Sequence, residues 1–342
     1  MARYFILVIA TLAFLAPVSP AEASNRTDLF SEEAPLKVEL VFNYKKFIRH
    51  KYKDEYMPAA IHIELEEGEV VSDTIRMKAR GNFRRRFCTF PPIKLNFKKT
   101  DFTTPSLQSL ETIKLVTNCK FQDVFQQYLY QEYLAYRLYN ELTPESFRVR
   151  LVEITYTDSE GKKEPFTRIG FLIEDVDDVA KRNQAQKIKS ERAVFSDIDP
   201  IVMNRVSLFE YMIGNSDWAL GNMHNVKIVQ SQDIANPRRI LLPYDFDYCG
   251  MVNTHYALPH ESLPIEKVTE RIYLGPCVDP GTLDITFGQF IEKKERFMAI
   301  IQEFPLLDDR RKRLMTGYLE DFFEDMVKKG HTRRMLNVAC NR

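Results

Sequence analysis

The sequence has few of the residues that mark several common classes of protein. Its 342 residues include only 12 glycines, and none of them form a multi-glycine loop of the kind that holds phosphate groups. Lysine plus arginine equals aspartate plus glutamate, at 48 each, so the charge balance indicates neither nucleic acid nor an anionic membrane as a partner. No Cys-x-x-Cys pair and no cysteine and histidine spacing indicates a zinc site.

The sequence has no apolar run long enough to span a membrane, and its one extended apolar run is short and lies near the beginning. Arg3, the apolar segment from Tyr4 to Leu15 and the small-x-small pattern Ala21-Glu22-Ala23 have the form of an export signal. A run of about twelve apolar residues is too short to span a bilayer. We therefore predict that residues 1–23 are a signal peptide and that the mature protein begins at Ser24. It should be secreted or periplasmic, with no transmembrane segment after cleavage.

Cysteines are few, and their number is odd. Five lie beyond the predicted signal peptide, so at least one thiol must be unpaired or shared between chains. An oxidising compartment favours disulfides. Cys88 and Cys119 flank strands that should be neighbours in one sheet, and we predict that they pair. The pairing of Cys249, Cys277 and Cys340 stays open.

The residue pattern changes its period along the chain. Apolar and polar residues alternate from about Lys37 to Phe97, as they do in half-buried antiparallel strands. From about Phe121 to Leu142 the apolar residues recur at helical spacing, with Glu132 on the apolar face. After two more strands the chain becomes mainly helical. The predicted divisions are a signal peptide at 1–23, an N-terminal sheet region that binds nucleotide at 24–174 and a C-terminal helical region at 175–342.

Two short segments about twenty residues apart carry the chemistry. In the first, Asp217 lies in a loop after a helical segment, and Asn222 and Asn225 follow it. In the second, an apolar strand ends in Asp245 and Asp247. A loop aspartate can accept the proton of a hydroxyl group, while asparagine and aspartate oxygens suit Mg²⁺ bound to phosphate. The pattern predicts phosphoryl transfer with Asp217 as the catalytic residue.

Two asparagines are candidates for the metal ligand that an asparagine normally contributes. Asn222 has the five-residue offset from Asp217 that is found in protein kinases. Asn225 directly precedes the strand that such an asparagine normally introduces, and we favour it. Asp245 should bind the metal, and Asp247 should bind a second metal or orient the first.

A lysine must also reach the phosphates of the nucleotide, held in place by an acidic side chain. Glu132 fits the acidic role, because an unpaired carboxylate on an apolar face would be costly to bury. Its lysine partner stays open between Lys94 and Lys114, which both lie centrally in strands before the helix. The basic cluster Arg84-Arg85-Arg86 is interpreted as a solvated surface.

These features together resemble the CotH kinase family, the atypical secretory protein kinases named for a spore-coat protein. The resemblance runs from about Ile75 to Gly250. It implies a fold of the α+β class with a two-lobed, protein-kinase-like architecture, in which an N-terminal antiparallel sheet lobe holds one main helix and the C-terminal lobe is mainly helical. The segments that carry it are Arg80-Gly81-Asn82 before a lysine-bearing strand, Leu172-Ile173-Glu174, Asn215-x-Asp217 with a following asparagine, and Pro243-Tyr244-Asp245-Phe246-Asp247.

The resemblance also implies an activity. An exported kinase of this kind would use ATP with Mg²⁺ or Mn²⁺ and would transfer the γ-phosphoryl group to a hydroxyl group, on a protein or a small molecule. Nucleotide contacts would come from Arg80, Gly81, Asn82 and Glu174. The sequence departs from the family in its longer loop after Asp217 and in the basic residues after Asn82. Neither the acceptor nor the oligomeric state can be read from the sequence.

Two other functions fit part of the pattern. A catalytically inactive pseudokinase or binding protein of the cell envelope would keep the scaffold and use the crevice for recognition only. A metal-dependent phosphoesterase could hold two metals with the Asp-x-Asp segment and His224. Such hydrolases normally gather more histidine and carboxylate ligands than these motifs offer.

Overall fold

The computed structural model describes residues 29–341, except 32, 66–67, 109 and 190–191. The predicted signal peptide at 1–23 and the predicted mature terminus at Ser24 lie outside the described residues. Among the helices that are described, none combines the length and the apolar character needed to cross a membrane.

The first half of the described chain forms a closed barrel. Going around it, the seven strands follow the order β1-β2-β3-β4-β5-β7-β6. Strands β1 and β6 are parallel, with Leu36 opposite Val152, and the other neighbours are antiparallel. Alternate side chains of each strand point inward and form one apolar core. The strands are β1 (Leu36–Phe42), β2 (Met57–Glu64), β3 (Val70–Ala79), β4 (Ile93–Asn96), β5 (Thr112–Val116), β6 (Val149–Asp158) and β7 (Phe166–Ile173).

The prediction of a two-lobed, kinase-like fold with an antiparallel sheet lobe is wrong, although the protein does belong to the α+β class. The sheet is mixed, and its first and sixth strands join to close it. Alternation within a strand predicts that one face is buried, but it does not show whether the sheet stays open or closes on itself.

The remaining elements are helices and one small sheet. That sheet has three antiparallel strands in the order β10-β9-β8, at Ala185–Lys187 (β8), Val226–Ser231 (β9) and Arg239–Pro243 (β10). The helices are α1 (Tyr44–His50), α2 (Phe83–Phe87), α3 (Pro105–Gln108), α4 (Asp123–Leu142), α5 (Val176–Arg182), α6 (Pro200–Ile213), α7 (Pro280–Gln302), α8 (Asp309–Val327) and α9 (His331–Cys340).

A second apolar core surrounds α4. This helix lies between barrel strands in the sequence, but it packs against α7 and contributes most of its buried side chains to the same core as α6, β9 and β10. The ring of Tyr136 on α4 contacts Phe246 just after β10, with ring centroids 4.6 Å apart. The packing therefore brings Glu132, on the same helix, close to the end of β10.

Helix α6 has a capping residue at each end, and its end leads into the Asp217 loop. The Asp199 side chain accepts hydrogen bonds from the first free backbone N–H groups of the helix, and Pro200 follows it. Gly214 ends the helix with φ of +66°, and a Cβ atom there would overlap the Tyr318 hydroxyl. Only glycine can therefore make this turn.

Two disulfides connect distant parts of the described chain. Cys88 bonds to Cys119 with an S–S distance of 2.05 Å, as predicted, and Cys277 bonds to Cys340. Cys249 is a buried free thiol. Because Cys88 directly follows α2 and Cys119 lies shortly before α4, the first disulfide holds these two helices near each other.

Candidate functional site

A crevice of about 490 Å³ contains most of the predicted site residues. Its walls come from three segments: the turn and helix after β3, the loop before β9, and the turn after β10. The lining residues are Arg80, Gly81, Asn82, Phe83, Arg84, Pro92, Asp217, Asn222, Met223, His224, Asn225, Tyr244, Asp245, Asp247 and Tyr248.

Three carboxylates meet beside this crevice. Oxygen atoms of Glu132, Asp245 and Asp247 lie within 4.8 Å of one another. The guanidinium group of Arg84 lies close to all three carboxylates. Nη2 of Arg84 lies 2.7 Å from Glu132 Oε2, 2.9 Å from Asp247 Oδ2 and 3.6 Å from Asp245 Oδ1. If all three carboxylates are ionised, one positive charge faces three negative charges.

The protonation of this cluster reflects that imbalance. Burial raises the pKa of Glu132 to about 8, although Arg84 opposes the shift. Burial also raises the pKa of Asp247. Burial alone would lower the pKa of Arg84, but the carboxylates around it raise that pKa well above its ordinary value. Glu132 Oε1 has no hydrogen-bond partner among the described residues. An added cation would relieve the excess negative charge.

Asp245 and Asp247 occupy different environments. The Asp245 side chain is 40% exposed and borders the crevice, whereas Asp247 is buried and accepts a hydrogen bond from the Tyr256 hydroxyl at 3.0 Å. The backbone of Asp245 is left-handed, with φ of +70°, and its N–H donates to Tyr136 Oη at 2.8 Å. This turn presents the Asp245 carboxylate to the solvent side of the cluster.

The Asp217 loop forms another wall of the crevice. Asp217 Oδ1 lies 2.9 Å from His224 Nε2, and Asn225 Nδ2 donates to Asp217 Oδ2 at 3.0 Å and to the Asp217 carbonyl at 2.7 Å. The hydrogen bond to Asp217 raises the pKa of His224. The Asp217 side chain is still 39% exposed. Its carboxylate is thus fixed in orientation and accessible to a ligand.

The two candidate asparagines differ in position. Asn225 is buried, and its Oδ1 accepts no hydrogen bond from the described residues. Asn222 is exposed, and its Oδ1 accepts a hydrogen bond from the backbone N–H of His224 at 3.2 Å. Asn225 therefore has a free oxygen and a fixed orientation beside Asp217, while Asn222 caps a turn.

Basic side chains gather around the ring of Tyr244. Lys114 Nζ and Lys227 Nζ lie 4.9 and 5.4 Å from the centroid of its ring. Burial, together with the positive charges of Arg80 and Lys227, lowers the pKa of Lys114 to about 7. Lys94 stands opposite Lys114 in the pairing of β4 with β5. Of the two lysines, Lys114 is the one that lies beside the crevice aromatics.

Glu174 lies outside the crevice. It is fully buried, with oxygens 2.7 Å from Arg148 Nη2 and 3.0 Å from Arg182 Nε. These contacts join the end of β7 to α5. Gly81 and Asn82 are exposed at the edge of the crevice, and the φ of +83° at Gly81 makes the turn that begins α2.

The partner of Glu132 differs from the prediction. Neither Lys94 nor Lys114 pairs with it among the described contacts, and Arg84 does. Arg84 is also not part of a solvated surface, since only 13% of its side chain is exposed. No local pattern distinguishes Arg84 from Arg85 and Arg86, because α2 has only five residues, and none identifies Lys227.

No protein-family model matches the chain, and no curated protein sequence matches it. Among solved structures, the chain is similar to the Helicobacter pylori proinflammatory kinase CtkA, with a TM-score of 0.35 and 12% sequence identity. The similarity covers 75% of this chain and 96% of that one. At this level it carries no argument about activity, which must rest on the residues of the crevice.

Proposed function

We propose that this protein is an exported, metal-dependent phosphotransferase that moves the γ-phosphoryl group of ATP to a hydroxyl group on a protein. The observation that carries the proposal is that two clusters of opposite charge lie at this crevice. Three carboxylates surround the guanidinium group of Arg84, and Asp245 and Asp247 of these line the crevice. Arg80 also lines it, and Lys114 and Lys227 lie over the ring of Tyr244, a crevice residue. A metal–triphosphate complex has the complementary arrangement of charge.

The acidic residues suit Mg²⁺ or Mn²⁺. These ions prefer oxygen ligands and keep several positions for water and phosphate, so few protein ligands suffice. The half-exposed carboxylate of Asp245 and the free Oδ1 of Asn225 would hold the ion, with Asp247 and Glu132 behind them. The bound ion would neutralise charge on the phosphates. Arg84 holds Asp247 and Glu132 in place.

Asp217 would accept the proton of the acceptor hydroxyl. Its hydrogen bonds to His224 and Asn225 fix the carboxylate, and its exposed part leaves room for the acceptor. Positioning of this kind contributes much of the rate of phosphoryl transfer, because the protein does little covalent chemistry. Lys114 and Arg80 would bind the phosphate oxygens.

The proposed export has support of its own. Two disulfides fit an oxidising compartment, where such bonds persist. The signal peptide predicted from the sequence supports the same location.

The test is metal-dependent nucleotide binding with and without Asp245. Calorimetry of the wild type should detect ATP binding with Mg²⁺ or Mn²⁺ and little binding with chelator. Asp245→Ala should lose that binding and phosphoryl transfer together, because the triphosphate charge would no longer be compensated. A wild type that binds no nucleotide with either metal would contradict the proposal. Binding without any transfer would favour the recognition-only alternative.

A further inference from the structure

A second cavity lies on the other side of the Asp217 loop. Its volume is about 710 Å³, and it shares Asp217, Asn222 and His224 with the crevice. The carboxylate that we assign to proton acceptance therefore borders both spaces. A ligand in this second cavity, which we name the loop pocket, would meet a nucleotide in the crevice at Asp217.

The lining of the loop pocket is mainly apolar and carries no lysine or arginine among the described residues. Aromatic and aliphatic groups form most of the wall, and Asp217 is its single carboxylate. Val194 and Phe195 are 62% and 40% exposed, which leaves two large apolar side chains uncovered beside the carboxylate. Exposed histidine and serine side chains lie at the edge, at His224, His260 and Ser262.

We propose that the loop pocket binds the acceptor, and that the acceptor is a serine or threonine of a polypeptide with a bulky apolar side chain next to it. This inference rests on the proposed function. An apolar neighbour would cover Val194 and Phe195 and gain free energy from the area buried. An anionic acceptor, such as a phosphorylated metabolite, would find no lysine or arginine here and would face Asp217, with which His224 is already paired.

The chemistry of the pocket edge favours a peptide over a lipid alcohol. His224 Nε2 is paired with Asp217 and His260 Nδ1 with Ser262 Oγ, so the second ring nitrogen of each histidine is left for a peptide amide. A hydrocarbon chain would offer those nitrogens no partner. In the reaction, the serine or threonine oxygen forms a bond to the γ-phosphorus. The bond from that phosphorus to the β–γ bridging oxygen breaks, ADP leaves, and the hydroxyl proton passes to Asp217.

The experiment uses a degenerate peptide library with a fixed serine and ATP with Mn²⁺. Peptides with leucine or phenylalanine beside the serine should be phosphorylated at least about tenfold more efficiently, in kcat/KM, than those with glutamate. Val194→Arg should reduce that preference by about tenfold or more. The position is well exposed, so the substitution should not disturb the core. Ile234→Arg is the matched control, because Ile234 is 94% exposed and does not line the pocket.

The outcomes separate this inference from the proposed function. Equal use of apolar and acidic peptides by the wild type would overturn the inference, and so would equal behaviour of Val194→Arg and Ile234→Arg. Transfer to a long-chain alcohol with no phosphorylated peptide would also overturn it, whereas ATP binding with no transfer to any acceptor would count against the proposed function itself. In each of these cases metal-dependent ATP binding persists. A wild type that binds no metal–ATP would instead remove the proposed function itself and the inference with it.

Discussion

Glu210 is a buried carboxylate outside the carboxylate cluster. It lies on α6 below the Asp217 loop, and its backbone carbonyl accepts the N–H of Asn215. Neither carboxylate oxygen has a hydrogen-bond partner among the described residues. Burial raises the pKa of Glu210 to about 8, and the adjacent Asn215 offsets only part of this shift. The side chain is therefore mostly protonated at neutral pH, which removes the cost of a buried charge.

This environment predicts a pH-dependent effect of Glu210→Gln. In the wild type the folded pKa of about 8 exceeds the ordinary 4.5, so the free energy of unfolding should fall as pH rises through that interval. Glutamine does not titrate, so the stability of the variant relative to wild type should increase from pH 5 to pH 8. Urea unfolding of both proteins at the two pH values measures this difference. An unchanged difference would show that Glu210 is already ionised or already paired at pH 5.

Substitutions at and around Asp217 should affect the rate of phosphoryl transfer and the binding of ATP differently. Asp217→Ala should keep metal-dependent ATP binding but lose about 10²–10⁴ in transfer rate, the range for a lost general base. Asn225→Ala should weaken metal-dependent binding, because it removes the free Oδ1. Asn222→Ala is the control, since that side chain only caps a turn, and its effect should be small. Calorimetry and a transfer assay on the same preparations give both quantities. Loss of ATP binding in Asp217→Ala would refute its assignment.

Among elements, local pattern predicted the long ones well and the short ones poorly. The helix predicted from about Phe121 to Leu142 by its apolar face matches α4, which spans Asp123–Leu142. The sequence did not predict α2, which has five residues and too little periodicity to identify. The barrel closure depends on β1 pairing with β6, far apart in sequence, which no local pattern specifies.

In the candidate site, too, local sequence pattern identified some residues, while tertiary packing determines a contact that the sequence did not predict. Asp217, Asn225, Asp245 and Asp247 stand at element ends, where loop and strand patterns reveal them, and the structure brings them into one crevice. The contact of Arg84 with Glu132 depends instead on how α2 folds back onto α4, which is a tertiary property.

The two disulfides should have different effects on the site. Replacing Cys88 and Cys119 by serine should cost about 2–4 kcal/mol of stability and should also weaken metal-dependent ATP binding, because α2 carries Arg84. The matched control replaces Cys277 and Cys340, which close a longer segment but touch no crevice residue. That pair should reduce stability without changing ATP affinity at a temperature where both variants are folded. Equal ATP affinities in the two double variants would argue against a role for the first disulfide at the site.

At the scale of the molecule, two apolar cores meet at the crevice. One fills the barrel, and the other surrounds α4 and continues through α6, α7 and α8. The barrel side supplies Arg80 and Lys114, while the second core supports Glu132, Asp217 and Asp245. The arrangement of charge in the crevice thus depends on both cores being folded.

Export predicts the mass of the mature protein. If residues 1–23 are removed, intact mass spectrometry of protein recovered outside the cytoplasm should match a chain that begins at Ser24. Cells expressing the full sequence with and without Arg3 would provide the comparison, because the positive charge belongs to the signal. Recovery of a membrane-bound chain that still contains Met1 would contradict the predicted cleavage.

The closed barrel also limits how neighbouring molecules can attach. Each of its seven described strands has a partner on both sides, but two of these pairings are short. Strand β4 pairs with β3 only at Arg76–Ala79, and β5 pairs with β7 only at Phe171–Ile173, because β4 and β5 are the shortest strands of the barrel. The remaining parts of β3 and β7, at residues 70–75 and 166–170, are where another chain can add a strand, which is a common first step of aggregation. Closure thus limits the unpaired backbone to parts of strands, where an open sheet would present two whole edge strands.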